Sequence, residues 1–294
     1  MTKKTEKVED GSADKQIFDG VSVISVDHSA DSTDSPEHNV PEKVEDSGDG
    51  VQGVTLNTDT TVVIPFFKSK NKMDEVALAI RTCVQYLHED IHFVVIGDAI
   101  EAVDDIAVEQ IEYKDASGSQ SDLLEVLKLA IVSEAVSDKF ILMEPGTYLI
   151  DDINLHHIEL CKHLGMINPN RYAGNDAVLM KETASFLHDN LKIAAYDYNT
   201  HCPCVLEKEM LTEMFEELPD ILLGKYHVLT VYFCAKAVHP IRLDYHTDGW
   251  ILPVISQSPD KNVVTRFITG KCFLYLKHFQ ENVKYLNPFL DIKR

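Results

Sequence analysis

The side chains best suited to chemistry gather in one short run, Asp197-Tyr198-Asn199-Thr200-His201-Cys202-Pro203-Cys204. His201 is a candidate general base, proton donor or oriented imidazole, because its ordinary pKa lies close to neutral pH. Asp197, four residues earlier, could fix the imidazole tautomer or bind a hydroxyl. His201, Cys202 and Cys204 do not make a zinc site, since a tetrahedral site needs four ligands and no second Cys/His pair lies at workable spacing. No motif supports either cysteine as a nucleophile. The plain alternative for the whole run is a turn held by Pro203.

A second candidate stands at the end of an apolar run. Phe140-Ile141-Leu142-Met143 leads straight into Glu144-Pro145-Gly146, with Thr147 to Ile150 and then Asp151 and Asp152 beyond. Glu144 is the one carboxylate directly at that edge. A short continuous apolar run stopped by Pro-Gly reads as a strand buried on both faces. Pro145 cannot donate to a ladder, and Gly146 allows a turn with positive φ. In open α/β sheets ligands bind at the carboxyl ends of such strands, so Glu144 and His201 are expected on one pocket rim. Against this stands the ordinary reading of solvated acids after a core strand.

Further candidates are sparser. Asp74, Glu75 and Arg81 share one helix, with Arg81 six residues after Glu75 and so outside i,i+4 reach; a planar guanidinium suits bidentate binding of phosphate. Asp98 follows Gly97 at a strand end, and Arg171-Tyr172 precedes a helix. Each also fits a solvated surface. The chain has no phosphate-binding glycine loop, dinucleotide fingerprint or nucleophile elbow.

These residues need a frame, and the pattern supplies one. Thr60-Thr61-Val62-Val63-Ile64-Pro65-Phe66-Phe67 is β-branched, apolar and closed by Pro, hence a buried strand. A helix over Met73 to His88 follows, with Val76, Ile80, Cys83, Val84 and Leu87 as its apolar stripe. Ile91 to Ile96 is a second strand, and Ile106 to Tyr113 holds a third. A helix capped by Ser121 or Asp122 turns Leu123, Leu124, Leu127, Ile131 and Val132 inward. Alternating strands and helices of this kind build a doubly wound parallel sheet. Beyond Ile153 helices are expected over Leu155 to Leu164, Asp176 to Asn190 and Glu207 to Leu218. Strands are expected over Leu229 to Phe233, Trp250 to Ile255 and Thr269 to Tyr275, with a last helix ending near Phe289.

Composition narrows the classes. Acids outnumber bases 48 to 27 among 294 residues, a formal net charge of −21. Broad nucleic-acid binding needs Lys/Arg patches and is disfavoured. No apolar run approaches 18 residues, and the start shows no secretory h-region. The six cysteines form no disulfide framework and read as reduced thiols. Residues 1–58 are acidic, rich in Ser, Gly and Thr, with Phe18 as their one aromatic. Such a segment cannot bury enough apolar surface to offset its ordering entropy, so a disordered acidic arm is expected, with one short strand over Val21 to Val26. The folded domain is expected over 59–294.

Three pieces together resemble a known family: the helix with Asp74, Glu75 and Arg81, the strand running into Glu144, and the loop of Asp197 and His201. Their order and spacing are similar to the GT-A-type glycosyltransferase-like proteins of phages and prophages, which in turn are similar to Stealth-type capsular polysaccharide phosphotransferases. His201-Cys202-Pro203 resembles the family's His-x-Pro loop, followed by Glu207-Lys208-Glu209 opening a helix. Gly270-Lys271-Cys272-Phe273 to Tyr285-Leu286 is similar to the family's tail.

The resemblance implies an α/β GT-A fold and transfer of a glycosyl or sugar-phosphate group from a nucleotide sugar, in the cytoplasm. It implies that Arg81 binds the diphosphate, with Asp74 and Glu75 on the same helix, and Asp98 the nucleoside edge. Glu144 would hold a Mn2+ or Mg2+ ion or meet the acceptor as a catalytic residue, and Asp197 and His201 would act at the acceptor. The chain departs from the family at one place. Where the pattern has paired acids, it carries Glu144-Pro145-Gly146, a poorer cation cage. The alternative implied is a catalytically inactive binding or virion-associated protein on the same fold.

Overall fold

The structure is a computed structural model that describes residues 60–114, 119–236, 240–243, 248–252, 271–276 and 283. The chain divides into two units, Met1–Gly53 and Val54–Arg294, and every described residue belongs to the second. The expected arm over 1–58 with its strand at Val21 to Val26, the end of the expected strand at Trp250 to Ile255, and the final helix near Phe289 lie outside the described residues.

Five strands form the central sheet. They are β1 (Thr60–Phe66), β2 (Ile91–Gly97), β3 (Val108–Glu112), β4 (Lys139–Leu142) and, after β5 (Thr147–Leu149) and β6 (Lys162–His163), β7 (Cys204–Glu207). The order is β3-β2-β1-β4-β7; all neighbours are parallel except β7, which pairs antiparallel with β4. The sheet is mostly parallel because α1 (Met73–Tyr86) carries the chain from β1 to β2, and α2 (Ser119–Val132) carries it from β3 to β4.

Side-chain alternation then builds two cores. Val62, Ile64 and Phe66 of β1 join Phe93, Val95, Ile141 and Met143 on the α1 face. Val63, Val94, Ile96, Phe140 and Leu142 pack on the opposite face against α2, α5 (Lys208–Glu217) and α6 (Val228–Ala235). Neighbouring residues point to opposite faces, so a strand covered on both sides must be apolar throughout. That is why β1 and β4 read as unbroken apolar runs.

Gly97 ends β2 for a steric reason. Its φ is +136°, and a Cβ there would stand 2.1 Å from the Phe66 carbonyl oxygen. Only glycine allows the backbone to pass so close.

Past β4 the chain builds smaller layers. β5 pairs antiparallel with β10 (Phe273–Leu276), which pairs parallel with β9 (Gly249–Leu252); β6 pairs with β8 (Ile241–Arg242). Between them lie α3 (Leu155–Glu159) and α4 (Gly174–Phe186), the latter continuing into a π turn at Leu187–Leu191. Thr82 Oγ1 of α1 accepts a hydrogen bond from Leu149 N at 3.2 Å, tying the second sheet to the first layer. Among the described residues no helix is long and apolar enough to cross a membrane.

The structure corrects several expectations. Leu229 to Phe233 is not a strand but the middle of α6. Its β-branched and aromatic residues favour a strand intrinsically, yet His227 caps the helix through Thr230 N, and burial of Val228, Val231, Tyr232 and Phe233 overrides that preference. Leu155 to Leu164 is helical only to Glu159. Val84 and Val132, expected on inward stripes, are 53% and 76% exposed; Leu78, Val126 and Ala130 face the core instead. The second helix begins at Ser119, which puts Ser121 and Asp122 inside its first turn. Gly146 is absent from the positive-φ residues, so it serves another purpose.

Candidate functional site

Two loops converge at the carboxyl end of β4. The first is the turn after the strand, closed by the Thr147 amide donating to Glu144 O at 3.0 Å. The second is the 197–203 loop that leads into β7. Because β7 pairs with β4, with Cys204 opposite Leu142, this loop must arrive beside Glu144.

The meeting point is a single contact. His201 Nδ1 lies 2.8 Å from Glu144 Oε2. A carboxylate can only accept, so Nδ1 carries the proton and Nε2 becomes the proton-accepting nitrogen of the neutral ring. Burial would raise the Glu144 carboxyl, but electrostatic attraction to the His201 ring and the hydrogen bond from it outweigh that and hold the group below the usual carboxylate range.

His201 is constrained from every side. Its backbone is left-handed, with φ 55°. Thr147 Oγ1 donates to its carbonyl at 2.9 Å. Tyr275 of β10 stacks on its ring, 4.0 Å between centroids and 4° from parallel. A non-glycine residue in this conformation persists only where its surroundings hold it, and such residues cluster at functional sites.

Tyr275 also explains Gly146. A Cβ at position 146 would meet Tyr275 Cε2 at 3.2 Å and Leu276 O at 3.3 Å, inside ordinary van der Waals separation. Glycine stands there so that the tyrosine can lie across the turn and reach His201.

The dyad lines a cavity of about 360 Å³, within the range of small-molecule sites. Its wall also includes Lys70 and Asn71 from the β1–α1 loop, Lys162 of β6, and His227 at the start of α6. His227 is buried and accepts from Thr230 N at 3.2 Å. Burial, with His201 nearby, pushes its pKa down to about 4, so it is neutral. Cys161, Cys202 and Cys204 line the cavity as well. Burial raises all three thiols, Cys204 to about 12, which suits packing rather than nucleophilic attack.

The other sequence candidates lie elsewhere. Asp197 does not orient His201; Glu144 does. Asp197 is fully buried and accepts from the Tyr172 hydroxyl at 2.9 and 2.8 Å and from Asn199 N at 3.2 Å. With its backbone bonded to Leu164 and Gly165, it anchors the root of the loop. Arg81 is held by Asp104 in a two-point pair at 2.7 and 3.0 Å and is not on the cavity wall. Asp98 accepts from Lys68 N at 2.8 Å and braces the β1–α1 loop. Asp74 is exposed. Glu75 is half-buried and bonded to Asn71 at 3.3 Å, and burial raises its pKa. Arg171 donates to Leu164 O at 2.8 Å.

Of the implied cation's ligands, the turn after β4 supplies Glu144. Glu144 is bonded to the His201 imidazole, a Cβ at position 146 would meet Tyr275 Cε2 at 3.2 Å, and Asp151 and Asp152 are exposed and off the cavity wall. Among the described residues no group of three or more His, Cys, Asp or Glu side chains could hold a metal ion.

Sequence reasoning found Glu144 and His201 and missed Tyr275, Thr147, Lys70, Lys162 and His227. Only Thr147 had a local signal, its place in the turn; the others reach the cavity through pairing between distant segments. No protein-family model matches the chain, and no curated protein matches it.

Proposed function

We propose that the chain is a GT-A-type glycosyltransferase-like protein, similar to those of phages and prophages and to the Stealth-type phosphotransferases. Acting in the cytoplasm, it would take a nucleotide-activated sugar and an acceptor hydroxyl in the cavity at the end of β4. One observation carries the reading: Glu144 and His201, from distant parts of the chain, meet at 2.8 Å on the wall of that cavity. The mostly parallel sheet with its cleft at the strand ends supports a nucleotide ligand.

In the proposed reaction Glu144 keeps the proton on Nδ1. His201 Nε2 takes the proton of the acceptor hydroxyl as that oxygen bonds to the anomeric carbon, or to phosphorus in a sugar-phosphate transfer. The bond to the leaving oxygen breaks, and its electron pair departs with the nucleotide. Base catalysis of this kind contributes roughly 100- to 10,000-fold.

A second reading, a non-catalytic binding or virion-associated protein on the same scaffold, is favoured by the lone carboxylate where the resemblance has two. A thermal-shift screen against nucleotide sugars, with and without Mn2+ or Mg2+, followed by turnover assays, separates the two. The transferase reading expects binding, turnover, and a loss of at least about a hundredfold in Glu144→Gln with the fold intact. Binding without turnover selects the second reading. No binding by any nucleotide sugar, or full activity in Glu144→Gln, removes the transferase.

A further inference from the structure

A departing nucleotide gains negative charge, and something in the cavity must offset it. The residue implied for that task, Arg81, is bound to Asp104 away from the cavity. The turn after β4 presents one carboxylate, and a Cβ at position 146 would already press on Tyr275 at 3.2 Å. Cationic side chains on the cavity wall are placed to meet that charge.

Among the described lining residues the Lys and Arg side chains are Lys70 and Lys162. Each is held from behind by a buried acid. Lys70 pairs with Asp122, the side chains being 34% and 1% exposed. Lys162 Nζ lies 3.0 Å from Asp248 Oδ1, at 12% and 5%. In both pairs the ammonium is the more exposed partner and the carboxylate the hidden one. Lys70 is further fixed over the Phe67 ring, 5.0 Å from its centroid. An ammonium has three N–H donors, so a lysine that answers one carboxylate can also donate to a phosphate oxygen. Lysines fixed in advance lose little freedom on binding, and a cavity wall of low dielectric strengthens their attraction for an anion. The acids on the same wall are Glu144, engaged by His201, and Asp176 at the start of α4.

We infer that Lys70 and Lys162, each oriented by its buried aspartate, form a diphosphate-binding pair that works without a divalent cation. The inference rests on the nucleotide-activated donor proposed above and names the groups that would hold its diphosphate.

Calorimetric titration of the full chain with inorganic pyrophosphate and with uridine diphosphate, in EDTA and then in Mg2+, tests it. The expected result is equal affinity in both buffers. Removing one lysine alone would strand a buried carboxylate and confuse loss of binding with loss of fold. The variants are therefore paired: Lys162→Gln with Asp248→Asn, and Lys70→Gln with Asp122→Asn. Each folded pair variant should bind at least tenfold more weakly. Binding that requires Mg2+, or pair variants that bind like the native chain, overturns the inference, and the Mg2+ arm reads on the native chain even if a variant does not fold. If nucleotide sugars bind and turn over while either overturning result is found, the lysine pair fails and the transferase reading stands. If pyrophosphate binds through the lysines while no nucleotide sugar does, the reverse holds.

Discussion

At the scale of single residues the site rests on which polar groups are already engaged. Arg81 suited a phosphate by type and position, but its guanidinium spans both oxygens of Asp104. Both partners are substantially exposed, and pairs of that kind contribute little. Arg81→Ala should therefore leave nucleotide-sugar binding and the melting temperature nearly unchanged, as titration and thermal unfolding would show. His227 behaves differently because it is buried and neutral. Its pKa falls from 6.5 in the unfolded chain to about 4 in the fold. Between those values the unfolded chain binds a proton that the folded chain refuses, so stability declines as pH falls through that window. The shift corresponds to about 3 kcal/mol across the window. Glu144 adds a separate loss at lower pH. Its folded pKa lies below its ordinary 4.5, so its contribution is complete above that value and disappears as pH falls through the folded one. His227→Asn keeps a capping side chain at the start of α6. Denaturant unfolding at pH 7, 5.5 and 4 should show a flatter profile for the variant; an unchanged slope would mean that another group titrates there.

At the scale of elements the turn after β4 decides the character of the site. Pro145 and Gly146 end the strand, and Gly146 lets β10 bring Tyr275 onto His201. Adding an acid by Gly146→Asp should not create a cation site. It should push the tyrosine off the imidazole and cost about 1–3 kcal/mol, the usual range for overpacking. A lower melting temperature without any Mn2+-dependent stabilisation is the expected measurement; a Mn2+-stabilised variant would show that the turn can still open. The 197–203 loop follows a similar logic. Asp197 secures its root, Pro203 and β7 its exit, and Thr147 and Tyr275 its apex. The loop is held both by bonds within itself, from Asn199 N to Asp197 and from Cys202 N to Thr200, and by partners from other elements, Tyr172, Thr230, Thr147 and Glu144.

At the scale of the whole molecule β1 is the centre of the fold. It pairs with β2 on one side and β4 on the other, and both of its faces are covered. Amide exchange should be slowest at Val62, Val63 and Ile64 and faster in β3, the half-exposed edge strand, because opening the centre requires global unfolding. Equal exchange across the sheet would contradict that order. The sequence by itself determined the parallel core, because strands buried on both faces must be apolar throughout, and such runs announce their own length and their stops. It also determined that Glu144 and His201 would share an edge, since both stand at ends of elements tied to one sheet. It could not reveal that α6 is a helix, because a segment buried on all sides carries neither a two-residue nor a 3.6-residue period. Nor could it show that Arg81 belongs to Asp104, that Asp197 belongs to Tyr172, or that Tyr275 lies against Gly146 and stacks on His201. Those facts depend on which distant groups come within about 3–4 Å, and packing alone sets such distances.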